Sequence, residues 1–116
     1  MTTVTVFDDI SGDHKRFEIS GHAGWAEKGE DIVCAAISTL SITTVNAIES
    51  FVLKEGEYEE YADAETGLIT FELKKTDHDT QLLIDAMLLG FKELAEKYPK
   101  YVRLEEIVMN QTKKEV

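Results

Sequence analysis

Residues 31 to 51 read DIVCAAISTLSITTVNAIESF, and within them Val33, Ile37, Leu40, Thr44, Ile48 and Phe51 recur at spacings of three and four. That period sets the six on one face of a mostly buried helix of about 22 residues. Its Ile, Val and Thr content gives little intrinsic helicity, so packing against the rest of the chain must hold it. Asp31 stands where an N-cap belongs, its carboxylate able to accept N–H groups two or three residues on, which puts Cys34 in the first turn.

Working outward, TTVTVFD at 2–8 and KRFEIS at 15–20 are rich in β-branched and aromatic residues and flank a turn centred on Gly12, the pattern of a β-hairpin. The second strand runs into Gly21 and His22, where a glycine-punctuated loop over 21–30 begins, a segment free to move. Beyond the helix, strand-like runs at about 57–62 and 68–74 flank DAETG, with Gly67 at the permissive turn position. A second amphipathic helix follows, opened by Thr76 and Asp77, carrying Leu83, Met87, Phe91, Leu94 and Tyr98 and stopped by Pro99. YVRLEEIVM at the end reads as a short strand with a broken period. The order is ββαββα with a possible C-terminal strand. It implies an α+β fold of two layers, an antiparallel or mixed sheet with two helices on one face.

A chain of 116 residues is one domain's worth, and such a domain buries roughly two-thirds of its unfolded surface. The longest apolar run, from Asp31 to Ile48, is interrupted by serines and threonines and is expected to fall short of a membrane span. The N-terminus lacks a signal-peptide pattern, and a lone cysteine forms no internal disulfide, both of which favour the cytoplasm. Twelve basic against 23 acidic residues give a net charge of −11, which disfavours nucleic acid and anionic membranes as direct partners. The same charge is either a solubility device or a means of drawing in a basic partner.

Chemistry concentrates between Gly21 and Ser38, a stretch with the only cysteine and the only tryptophan. The first turn of a helix favours a thiolate, because unpaired N–H groups stabilise negative charge there, and this makes Cys34 a candidate nucleophile. Against that, free cysteine is among the most buried residue types, and VCAAI also suits a small core residue. His22, twelve residues earlier, can return over the helix start as general base. His14 in the hairpin turn and His78 at the second helix have no candidate neighbours and read as surface residues. Trp25 either clamps a ligand or pins the loop to the core, pinning being the default. Ser38 either lines the site or bonds back to the carbonyl of Cys34. His22, Asp31 and Cys34 lack the paired spacing of a metal site, and no phosphate-binding glycine loop or serine elbow is present.

GHAG at 21–24 and DIVCAAIS at 31–38, joined by an acidic, glycine-containing loop, together resemble the signature of the ribosomal-processing cysteine proteases called Prp. The likeness covers 21–38 by motif and the remainder by length, element order and acidic character. It implies that residues 1–116 form a single cysteine protease domain: a cytoplasmic bacterial endopeptidase, homodimeric, without cofactor or metal. The implied substrate is the precursor of large-subunit ribosomal protein twenty-seven, which loses a short N-terminal extension. Carried over by position, Cys34 is the nucleophile and His22 its base, Gly21 and Gly24 belong to a loop that moves for substrate, and Asp31 and Ser38 are supporting. Trp25 stands where tyrosine is more usual in the family.

The implied mechanism is a dyad passing through an acyl-enzyme, with N–H groups at the helix start as oxyanion donors. Capping competes with any role of Asp31 in orienting His22. The rival from another class is a non-catalytic acidic binding module or chaperone for a basic ribosomal partner, with Cys34 buried and inert.

Overall fold

The computed structural model of the chain describes residues 1–27 and 30–109, so Lys28 and Gly29 of the glycine-punctuated loop lie outside the described residues. Seven elements follow one another: β1 (Thr2–Asp8), β2 (His14–Ser20), α1 (Ile32–Phe51), β3 (Tyr58–Asp63), β4 (Leu68–Leu73), α2 (His78–Lys97) and β5 (Val102–Val108). The C-terminal run is therefore a full strand. They form an α+β fold with one five-stranded sheet in the order β3-β4-β2-β1-β5.

The sheet is mixed. Both hairpins pair antiparallel, β2 and β4 join them antiparallel, and β5 runs parallel to β1 with Thr2 opposite Val102. The parallel pair follows from α2, which carries the chain back across the sheet so that β5 leaves in the direction of β4 and β1. Alternation along β1 turns Thr2, Val4 and Val6 inward, and register places Val4 beside Ile19, Val6 beside Phe17 and Phe17 beside Phe71. The rings of Phe17 and Phe71 stack with centroids 5.5 Å apart, and Tyr58 stacks on Phe71 at 5.4 Å. Val33, Ile37 and Ile48 of α1 and Ile84, Met87 and Phe91 of α2 close the core over this face.

Helix α1 is less buried than its periodicity predicts. Val33, Ile37, Ser41, Thr44, Val45 and Ile48 are its buried residues, Leu40 is half-buried, and Phe51 at the last position is 83% exposed, although Ile48 and Leu53 on either side of it are buried in the core. By length and composition α1 meets the requirement for crossing a membrane, contrary to the sequence expectation, but its apolar stripe is spent on the sheet. Helix α2 opens with the reciprocal cap that Thr80 and Asp77 make possible: the Thr80 N–H donates to Asp77 Oδ1 at 2.8 Å, and the Asp77 N–H to Thr80 Oγ1 at 3.2 Å.

His14 corrects the sequence reading. It opens β2 rather than sitting in the turn, its side chain is 13% exposed, and its ring bridges two carboxylates, Asp8 at 2.5 Å and Asp85 of α2 at 2.6 Å. Gln81 of α2 completes the junction, accepting from the His14 N–H at 2.6 Å and donating to its carbonyl at 2.9 Å. Burial opposes the charge on His14, but the two carboxylates outweigh it and hold the imidazole above its ordinary value. The partner in α2 lies 71 residues away, which no local pattern marks. His78, by contrast, is exposed as expected.

Candidate active site

At the end of β2 the chain turns at Gly21, with φ +85°, and a Cβ there would lie 2.5 Å from the Met1 carbonyl oxygen. Only glycine lets the backbone pass so close to the start of β1. Thr2 Oγ1 then donates to the Gly21 carbonyl at 3.2 Å, fixing the point from which His22 projects. His22 is exposed, and its Nε2 lies 3.4 Å from the carbonyl oxygen of Glu65 in the turn between β3 and β4.

Cys34 is the third residue of α1 and is half-buried, so the thiol is neither sealed in the core nor fully in solvent. Asp31 builds its surroundings with both carboxylate oxygens. Oδ1 accepts from the N–H groups of Val33 at 3.0 Å and Cys34 at 2.9 Å, the predicted N-cap. Oδ2 accepts from Trp25 at 3.0 Å and Ala26 at 3.4 Å, folding the loop back over the helix start. Burial pushes this carboxyl up, but the backbone N–H groups of Cys34, Ala26 and Trp25 outweigh it and hold the group below its ordinary 3.8. The folded-back loop brings the Ala23 N–H to 3.3 Å from Cys34 Sγ.

This arrangement alters the expected oxyanion donors. The Val33 and Cys34 N–H groups are taken by Asp31 Oδ1, and the Ala35 N–H donates to the Asp31 carbonyl at 3.0 Å, so the helix start is occupied by its own cap. The N–H that meets the sulfur comes from the loop, at Ala23.

Two clefts meet at the thiol, and His22, Cys34, Ser38 and Ala64 line both. One, of about 370 Å³, is an apolar slot floored by Ile19 and Ile37 and walled by Ile42, Leu68 and Ile69. The other, of about 620 Å³, opens past Gly24, Ala26, Asp31 and Glu65. A third, of about 350 Å³, shares Ser41, Ile42, Ala62 and Ile69 with the slot and extends it along α1 to Asn46, Glu60 and Tyr61. There the Glu60 carboxyl is pushed up to about 7, first by its hydrogen bond with Glu49 and then by burial and by repulsion from that neighbour.

Ser38 therefore lines the site, and among the described residues its hydroxyl makes no bond to the Cys34 carbonyl. Trp25 is 41% exposed, so the loop is held by Asp31 and the backbone rather than by a ring pinned in the core. His22 and Cys34 share both clefts, yet among the described residues no hydrogen bond joins them; each is held by a different backbone group. Sequence reasoning missed Ala64, Glu65 and Gly67, which form the opposite wall. The one signal they carry is the turn glycine.

The profile of the family described as Cysteine protease Prp matches residues 1–103. The chain belongs to the cysteine protease Prp family. It is accordingly a cysteine protease, and relatives named ribosomal processing cysteine protease Prp occur in Bacillus subtilis and Mycoplasma pneumoniae. The first is 30% identical over 76% of this chain and 81% of its own length, the second 29% over 80% and 88%. Among solved structures, an essential ribosomal processing protease Prp from Staphylococcus aureus, in complex with a covalently linked product peptide, superposes with a TM-score of 0.82. It is 30% identical over 91% of this chain and 99% of that one. SMU.848 from Streptococcus mutans superposes at 0.78 with 37% identity, covering 94% and 96%. The Prp fold and the element order derived above coincide.

Proposed function

We propose that this Prp-family chain is an endopeptidase that removes the N-terminal extension from the precursor of large-subunit ribosomal protein twenty-seven, using Cys34 and His22 as a dyad. The observation that carries the reading is the convergence of a half-buried thiol at a helix start and an imidazole at a strand end on one pair of clefts. A core cysteine has no such opening. The apolar slot accepts apolar side chains next to the scissile bond, and the net charge of −11 draws in a basic ribosomal protein. The name of the Staphylococcus aureus relative, a ribosomal processing protease, supports the substrate class.

In this mechanism the Cys34 thiolate adds to the scissile carbonyl carbon, and the Ala23 N–H, already beside the sulfur, is placed to donate to the oxyanion that develops. The tetrahedral species collapses with cleavage of the C–N bond, and the proton on His22 goes to the leaving amine. Water then attacks the thioester with His22 as base, and the thiolate departs. His22 must approach the thiol on substrate binding, a motion open to an exposed side chain.

Cleavage of a precursor peptide tests this. Cys34→Ala and His22→Ala each lower kcat/KM by at least about a thousandfold while peptide binding persists. Cleavage by Cys34→Ala at wild-type rate would sink the dyad, and binding without any cleavage by wild type would favour the binding-module reading.

The place of work we propose is the bacterial cytoplasm, and the working form a homodimer. Outward residues of α1 that line none of the clefts at the thiol, Ile32, Thr39 and Thr43 among them, carry no charge. On a molecule of net charge −11, such a face is one where a second copy approaches without repulsion.

A further inference from the structure

We propose that the main-chain carbonyl of Glu65 is the orienting group of His22, fixing the tautomer that leaves Nδ1 as the base, and that Gly67 is the positioning residue that permits it. The inference rests on the Cys34–His22 reading and extends it to the turn between β3 and β4. A carbonyl oxygen can only accept, so a hydrogen bond across the 3.4 Å contact has Nε2 carrying the proton in the neutral ring. The remaining nitrogen, Nδ1, is then the acceptor available to the thiol. Among the described residues no carboxylate or side-chain amide hydrogen-bonds to this ring, so the orienting role falls to a backbone group.

The turn is built to present that carbonyl. The Glu65 N–H donates to Asp63 Oδ1 at 3.0 Å, which fixes the plane of the turn at the other side of the residue. Gly67, with φ +69°, lets the turn press against the end of β2: a Cβ at 67 would lie 3.0 Å from His22 Cε1, 3.0 Å from the Gly21 oxygen and 3.1 Å from the Gly21 carbonyl carbon. Any side chain there pushes the ring or the strand end away from the Glu65 carbonyl. The two glycines thus act as a pair, Gly21 against Met1 and Gly67 against Gly21, setting the height of the imidazole over the clefts.

The test combines histidine 15N NMR with kinetics. With its ring neutral, wild-type His22 shows the Nε2–H tautomer, and in Gly67→Ala it shifts toward a mixture. Gly67→Ala lowers kcat by about tenfold to a hundredfold with KM changed less than about twofold, and displaces the pH profile of Cys34 alkylation. Gly67→Asn eases left-handed strain but keeps a Cβ, so it remains impaired, whereas full recovery would mean that turn strain alone was at work. Gly56→Ala, with φ +92° and nothing within 4 Å of the new Cβ, carries the same strain away from the site and leaves kcat and the tautomer unchanged. An Nδ1–H tautomer in wild type overturns the inference even if Gly67→Ala does not fold. Cleavage by Cys34→Ala would instead overturn the dyad, so the two failures are distinguishable.

Discussion

Replacing Asp31 by asparagine and by alanine separates two jobs done by one carboxylate. Oδ1 caps α1 through Val33 and Cys34, and Oδ2 holds the loop through Trp25 and Ala26. Loss of an N-cap costs about 1 kcal/mol, within a range of roughly 0.5–2. The two loop bonds to an exposed, charged oxygen add about 0.5–1 kcal/mol. Asparagine keeps one carbonyl oxygen for the cap but turns an NH2 donor toward the loop N–H groups, so Asp31→Asn is expected to lose only the loop share. Asp31→Ala loses both, about 1–3 kcal/mol, and for a chain of 116 residues each kcal/mol lowers Tm by about 3–5 °C. Urea denaturation and calorimetry give the stabilities, and hydrogen exchange at the Trp25 and Ala26 amides reports the loop. Because the folded carboxyl is held below 3.8, the advantage of wild type over Asp31→Ala is full above that value and lost as pH falls through the lower folded one. The alanine and asparagine variants also lower kcat/KM several-fold, since the loop carries Ala23 to the sulfur. Wild-type stability together with wild-type exchange at Trp25 and Ala26 in Asp31→Asn would refute the division of labour.

Three further outcomes are expected. Substrate steering by the charge of −11 makes kcat/KM for a basic precursor fall several-fold between about 50 and 500 mM salt, and a flat response measured in the same assay counts against steering. His14→Gln costs about 1–3 kcal/mol near pH 6 by removing the bridge between Asp8 and Asp85. The folded imidazole is held above 6.5, so the wild-type advantage is full below that value and shrinks as pH rises through the folded one; a gap in urea midpoints that widens with pH contradicts this. Thr39→Glu with Thr43→Glu, both on the exposed face of α1, converts a dimer to monomer in light scattering, and an unchanged mass rejects that face as the contact.

The local physics of the chain was legible in its residues. A cap is a contact across two or three positions, so Asp31 and the first-turn place of Cys34 followed from spacing, and both hairpins followed from alternation around turn residues. The pairing of GHAG with DIVCAAIS carried the family. Tertiary structure decided what depends on distant contacts: that β5 lies parallel to β1, that Phe51 is exposed, and that His14 links the first hairpin to α2. It also decided the wall of the site. Glu65 reaches His22 across 43 residues, and Gly67 meets Gly21 only because β4 pairs with β2. Periodicity and capping act over a few residues and leave a trace in the sequence, whereas which carbonyl meets an imidazole is set by how two turns are brought together once the sheet has formed.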